Sequence, residues 1–162
     1  MSVPKRVNRV ISALSLTLPL IFGFAITSVA ASENVSTASL IQDMAQRQSA
    51  FSEIEKQQKQ INKALGNSTP NWQQLDVLST ALTANSASLQ HLFVPGSQLD
   101  SKAKDKVWDD NMKFKAALAK MDNNFIKMNT AIKQQDKDTA KDALKQANNT
   151  CRSCHRQYRS RW

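Results

Sequence analysis

From Leu40 to Leu65 the chain alternates steps of four and three residues without a slip, through Leu40, Met44, Arg47, Phe51, Ile54, Gln58, Ile61 and Leu65. A 3.5-residue spacing places all of these on one narrow stripe of a helix, and such a stripe must be buried against others like it. Three further segments carry helical spacing rather than strand alternation. The second holds Trp72, Leu75, Leu78, Leu82, Leu89 and Leu92; the third Val107, Asn111, Phe114, Leu118, Met121, Phe125, Met128 and Ile132; the fourth Leu144, Ala147, Cys151, Cys154 and Tyr158. After residue 31 the only glycines and prolines are Gly66, Pro70, Pro95 and Gly96, which mark two breaks, and polar Gln134 to Thr139 makes a softer third. Thr69 is the expected N-cap of the second helix, with Pro70 at its first position. Short connections after the first and third helices favour antiparallel neighbours, so the expected fold is all-α, an up-down-up-down four-helix bundle.

The first 31 residues read differently. Lys5, Arg6 and Arg9 precede an almost wholly apolar run from Val10 to Ile26, and Ser28-Val29-Ala30-Ala31 supplies small residues for a signal peptidase. Ser12, Ser15, Thr17, Pro19 and Gly23 interrupt the run and argue against a membrane anchor. The expectation is a secretory signal peptide at 1–31, cut after Ala30 or Ala31, followed by one exported domain at 32–162. The formal net charge of +9 falls to +6 once Lys5, Arg6 and Arg9 are removed. These cations are scattered among Asp, Gln and Asn, with no aromatic-interleaved basic run, so a nucleic-acid partner is not expected, nor a membrane once the signal is cleaved. Steering of acidic partners fits the charge.

Both cysteines of the chain and one of its two histidines lie within Cys151-Arg152-Ser153-Cys154-His155. On a helix, Cys151, Cys154 and His155 fall at about 0°, 300° and 40° and share one face. Two thiols one turn apart can add to the vinyl groups of a haem while the following imidazole takes the iron, which is the C-x-x-C-H attachment of c-type haem. A redox pair of the thioredoxin kind expects a strand-helix context, and a zinc site needs about four N/S ligands where the only other histidine is His91. A haem-free protein with a plain Cys151–Cys154 disulfide remains as a third reading, but it explains neither the histidine nor the stripe.

Two positions on the first stripe are polar. An isolated charge at Arg47 is costly unless paired or able to snorkel to the surface; beside an anionic cofactor it would neutralise a haem propionate. Gln58 can equally set the register of the bundle. For the iron's sixth position Met44, Met112, Met121 and Met128 carry thioethers, though methionines at such spacing are more often core filler. Met121 and Met128 fit that description, Met112 sits off the stripe, and Met44 is the one candidate kept. His91 lies beside the Leu89/Leu92 stripe and is read as a surface residue.

On these residues the chain resembles cytochrome c prime over essentially the whole of 32–162. The likeness is carried by Arg47-Gln48-Ser49-Ala50-Phe51, Phe93-Val94-Pro95-Gly96-Ser97, Val107-Trp108 with Phe114, and the haem motif with Arg156-Gln157-Tyr158-Arg159 after it. A haem motif at the C-terminal end is itself unusual among c-type cytochromes. The resemblance implies a periplasmic bundle, commonly a homodimer through its first two helices, with one covalent haem that is high-spin and five-coordinate on His155. It also implies that Arg47 lies by a propionate, Phe51 covers the distal face and Arg159 lies on the proximal side. Such proteins bind nitric oxide and carbon monoxide while largely excluding oxygen, and electron transfer with redox partner proteins accompanies that role. No catalytic group is assigned, and the expected role is not that of an enzyme. Low-spin relatives of the same fold take a first-helix methionine as sixth ligand, which makes a His/Met electron carrier through Met44 the alternative.

Overall fold

The computed structural model describes residues 37–161. The chain divides into two units, Met1–Glu33 and Asn34–Trp162, and every element below belongs to the second. The expected signal peptide and its cut after Ala30 or Ala31 lie outside the described residues. Helix α1 spans Thr37–Gly66 and α2 Trp72–Ser88, which tightens into one 3-10 turn at Leu89–His91; then come α3 at Lys106–Asp109, α4 at Asn111–Lys133 and α5 at Lys137–Tyr158. Among the described residues the only β feature is a lone bridge between Ala103 and Arg159, and no helix is long and apolar enough to cross a membrane.

The long helices α1, α2, α4 and α5 form the expected antiparallel four-helix bundle. Cross-helix contacts fix the register: Asn85 donates to Gln57 between α2 and α1, Ser79 to Asn129 between α2 and α4, and Phe114 meets Tyr158 edge-on between α4 and α5. Gln57 and Asn85 lie on either side of the α1–α2 turn, and Phe114 at the start of α4 faces Tyr158 at the end of α5, as antiparallel packing requires. At one end Ile61, Leu65, Leu75, Phe125, Met128 and Ile132 are fully buried, and Ala140, Ala143 and Ala147 let α5 approach α4 closely. Burying that apolar surface supplies most of the bundle's stability, since helices in proteins are held mainly by the packing of an amphipathic face. The α1/α2, α2/α4 and α4/α5 sides are closely packed, whereas α1 and α5 touch sparingly.

The helix ends differ from the sequence expectation in two places. Asn71, not Thr69, caps α2: its side chain accepts the Gln74 N–H at 3.0 Å, leaving Pro70 ahead of the helix. An Asx oxygen three residues before the orphan amide has the right reach, and Thr69 is one turn position too early. The expected third helix is interrupted at Asp110, whose φ of −121° and ψ of 51° leave the helical region and separate the single turn α3 from α4. At the softer break, Gln135 closes α4 with φ of 59°. The Asp136 N–H reaches Ala131 O and the Gln135 N–H reaches Ile132 O, both at 2.9 Å, the paired bonds of a Schellman end. Asp136 then caps α5 by accepting from the Thr139 N–H.

A left-handed cap held by glutamine carries a steric cost that glycine avoids. Gln135→Gly is expected to raise stability by about 0.5–1 kcal/mol in denaturant unfolding of the holoprotein; a loss of stability would show that the Gln135 side chain matters more than its backbone.

Candidate cofactor site

Where α1 and α5 part, they and α4 enclose a cavity of about 530 Å³, closed on one side by the segment from Phe93 to Ala103. That volume lies within the range of small-molecule and cofactor sites. Its wall is mainly apolar, with Ile54, Phe93, Val107, Phe114, Leu118 and Met121, while Arg47, Lys102 and Arg159 stand among the lining residues as cations.

On the α5 side the periodicity of the last helix brings Cys151, Cys154 and His155 to the cavity. Leu144, Ala147 and Tyr158 of the same stripe are buried, but the two cysteines are only half-buried because the cavity, not another helix, lies opposite. Both are free thiols. Cys151 Sγ is 3.8 Å from Met121 Sδ, and Gln58 Nε2 approaches it at 4.0 Å across the cavity. Burial pushes both thiols up: Cys154 to about 11, with Cys151 adding to the shift, and Cys151 less far because Gln58 opposes the rise. Burial also lowers His155, with Arg159 reinforcing and Glu55 opposing. A lowered histidine is neutral at pH 7 and so presents a lone pair for a metal. The end of α5 is held in place by Lys104 N–H to Tyr158 O at 2.9 Å and Ser160 N–H to Lys102 O at 2.7 Å.

On the α1 side Arg47, Phe51, Ile54, Glu55 and Gln58 line the cavity. The buried stripe of α1 runs through Ala50 and Gln57 instead of Phe51 and Gln58. Phe51 and Gln58 are turned one position aside, toward the gap where α5 would otherwise pack. Arg47 is 3% exposed. Its Nη1 donates to Leu92 O at 3.1 Å and Ser97 Oγ at 2.8 Å, and its Nη2 to Ser97 O at 2.5 Å. The guanidinium carbon stands 4.9 Å from the Phe93 ring centre and 5.8 Å from that of Trp108. Burial lowers the Arg47 pKa and Asp43 opposes this, yet an arginine remains charged at any physiological pH. The buried cation is thus partnered by the connection after α2 as well as being presented to the cavity.

Met44 is half-buried one turn before Arg47 and is not among the lining residues, and His91 is exposed. Met112 is 86% exposed, while Met121 and Met128 are buried. Phe93 has a larger place than its sequence position suggests. Its ring meets Phe114 at 4.6 Å, Phe51 at 6.3 Å and Trp108 at 6.5 Å between centres, joining the α1 and α4 walls of the cavity. A loop residue has no periodic partner in the sequence, so periodicity gives no sign of this; its one signal is the aromatic residue directly before Val94-Pro95-Gly96. Gly96 turns the chain with φ of +91°, and a Cβ there would meet Leu40 of α1 at 3.2 Å.

The donor set suits a covalently held haem better than a bare ion. Among the described residues no group of three or more His, Cys, Asp or Glu side chains is placed to hold a metal directly. Two thiols and an imidazole on one helix face, against a mainly apolar cavity with cations among its lining, match a ring with two vinyl groups, an iron and two carboxylates.

Arg47→Lys is expected to lower stability by about 2 kcal/mol, because an ammonium cannot serve Leu92 O, Ser97 O and Ser97 Oγ together. Denaturant unfolding of the holoprotein measures it; a change within about 0.5 kcal/mol would mean that the loop clamp contributes little.

A family model described as Cytochrome C' matches residues 42–159. Among solved structures, the nitric oxide complex of a cytochrome c prime variant from Alcaligenes xylosoxidans is 22% identical, with a TM-score of 0.70, over 76% of this chain and 97% of that one. Cytochrome c prime from Rubrivivax gelatinosus is 25% identical, with a TM-score of 0.67, over 73% of this chain and 94% of that one. No curated protein sequence matches.

Proposed function

The chain belongs to the cytochrome c prime family, whose model matches residues 42–159, and from that premise we propose that it is an exported, periplasmic, five-coordinate haem protein that binds nitric oxide and carbon monoxide. One observation carries the reading: Phe51 on α1 and the Cys151, Cys154, His155 face of α5 line the same cavity from two different helices, while Met44 lies outside the lining. The haem, a cofactor the family implies, supplies an iron that binds diatomic ligands reversibly and changes charge by one electron.

The residues divide the work. Cys151 and Cys154 hold one haem through thioethers, so it cannot dissociate, and the neutral His155 imidazole holds the iron. Arg47 and Arg159, both lining the cavity, offer positive charge to the propionates and the proximal side respectively. Phe51 covers the opposite face. A phenyl ring offers bound oxygen no hydrogen-bond donor and must move aside for any ligand, which penalises weak ligands more than nitric oxide. Phe93 backs Phe51 edge-on, and the Arg47 guanidinium stands over the Phe93 ring in turn, so moving Phe51 aside gives up an aromatic contact. Binding rather than catalysis is the role proposed for these groups. A homodimer and exchange of electrons with other proteins belong to the same proposal, drawn from the family.

The neighbour from Alcaligenes xylosoxidans binds nitric oxide in its complex, which supports the ligand class. The His/Met alternative needs Met44 to reach the iron, and its place outside the cavity lining counts against that. An absorption spectrum of the purified ferric protein separates the two: the proposal expects a high-spin spectrum, and a low-spin spectrum with a thioether-to-iron band would overturn it. Haem that extracts into acid-acetone would remove the covalent attachment. Phe51→Ala is expected to speed carbon monoxide association with the ferrous protein by about tenfold, as roughly 1.4 kcal/mol of ring displacement is relieved; an unchanged rate in flash photolysis would take Phe51 out of the distal role.

A further inference from the structure

Backbone pairing at one end of the molecule gathers cations that are far apart in sequence. The segment before α3 is fastened to the end of α5 by Lys104 N–H to Tyr158 O and Ser160 N–H to Lys102 O. Lys102 and Lys104 are thereby set beside Arg156, Arg159 and Arg161, around a shallow recess that also includes His155. Among the described residues no carboxylate side chain lines this recess. None of the five cations here is in an ion pair among the described residues, as is true also of Lys63, Lys141 and several other cations; what distinguishes these five is that one recess gathers them. Glu55 of α1 faces them from another helix, and Lys59 already holds its carboxylate at 2.6 Å; Asp100 and Asp105 flank Lys102 and Lys104 along their own segment.

Like charges held together in this way repel and cost stability, so the arrangement calls for a reason outside the fold itself. Lys102, His155 and Arg159 border both the recess and the cofactor cavity, which makes this face the rim of the site. We propose that the Lys102, Lys104, Arg156, Arg159, Arg161 face is a docking surface for the acidic face of an electron-donor protein, which it brings to the rim of the haem site. The inference rests on the haem reading above. One electron passes from the reduced donor to ferric iron, giving the oxidised donor and ferrous iron, with no proton or atom transferred. A protein fits better than an anionic membrane because the cations encircle a recess, and the one strongly exposed apolar side chain of this loop, Leu99, is too little to anchor in lipid. Such a rim sets encounter rate and orientation more than tight affinity, and salt must weaken it.

The test uses the ferrous, carbon monoxide-bound holoprotein and an oxidised, acidic plant-type ferredoxin as probe, so that binding is read without electron transfer. Titration followed by amide NMR should shift residues 101–104 and 156–161, and raising salt from about 20 to about 200 mM should abolish the shifts. Lys104→Glu with Arg156→Glu and Arg161→Glu should weaken Kd by about tenfold or more, while the same charge change made by Lys63→Glu, Lys141→Glu and Lys145→Glu at the other end should not. Equal weakening in the two triple variants, or shifts spread over the whole surface, would overturn the proposal as mere net-charge attraction. Sedimentation with phosphatidylglycerol vesicles that depends on the same residues, without ferredoxin binding, would overturn it in favour of a membrane. Failure to bind carbon monoxide at the outset would instead strike the haem reading, and is visible before any ferredoxin is added.

Discussion

Three sides of this bundle close on side chains, and the fourth does not. Between α1 and α5 the helices stand apart at one end, and what lies between them is a cavity rather than interdigitated leucines. A bundle with such a gap is incomplete as a core, because lining atoms without partners forfeit the dispersion and burial that the closed end gains. The two helices that border the gap supply the thiols, the imidazole and the phenyl ring. The proposed haem is therefore both ligand and packing element: it would occupy the place where the fourth side is open.

Arg47 connects that gap to the remainder of the fold. A guanidinium buried on a helix stripe must be partnered, and its partners are carbonyls and a hydroxyl of the connection after α2. Held there, the connection delivers Phe93 to the cavity wall, where it meets Phe51 and Phe114, and lets Trp108 donate to Val94 O at 2.9 Å. The same connection goes on to pair with the end of α5, which fixes the position of His155 and collects the cations around it. One buried charge and a few backbone bonds thus tie the distal wall, the proximal wall and the basic rim to each other. The clamp does not compete with a propionate role for Arg47, because a guanidinium has five N–H donors and the loop takes only some of them.

Most of the helical architecture is legible in the stripes. Val107, Phe114, Leu118, Met121, Phe125, Met128 and Ile132 are all buried as their spacing predicts, and Leu75, Leu82 and Leu89 likewise. Four exceptions share a cause. Phe51, Gln58, Cys151 and Cys154 lie on their stripes yet are only half-buried, since a seam position facing a cavity has no opposing helix. Leu40, Met44, Trp72, Leu78 and Asn111 are half-buried too, but away from the cavity. Asn71 displaces Thr69 as cap, and Asp110 breaks the third helix, because several residues nearby could serve and only the geometry of the adjoining connection chooses. Phe93 and the joining of Lys102 to Arg159 involve loop residues, whose contacts follow no period.

The sequence by itself determined the four amphipathic helices, their antiparallel order and the Cys151-Cys154-His155 face, because all of these follow from local periodicity and from the chemistry of one short motif. It also marked Arg47 as a charge that needs a partner. Only the tertiary structure decided who that partner is, that Phe93 stands behind Phe51, that Met44 is left outside the cavity, and that cations from two distant segments share one rim. These are relations between residues tens of positions apart, and they depend on how far two helices separate and where a loop folds back. No repeat within a single segment encodes such distances.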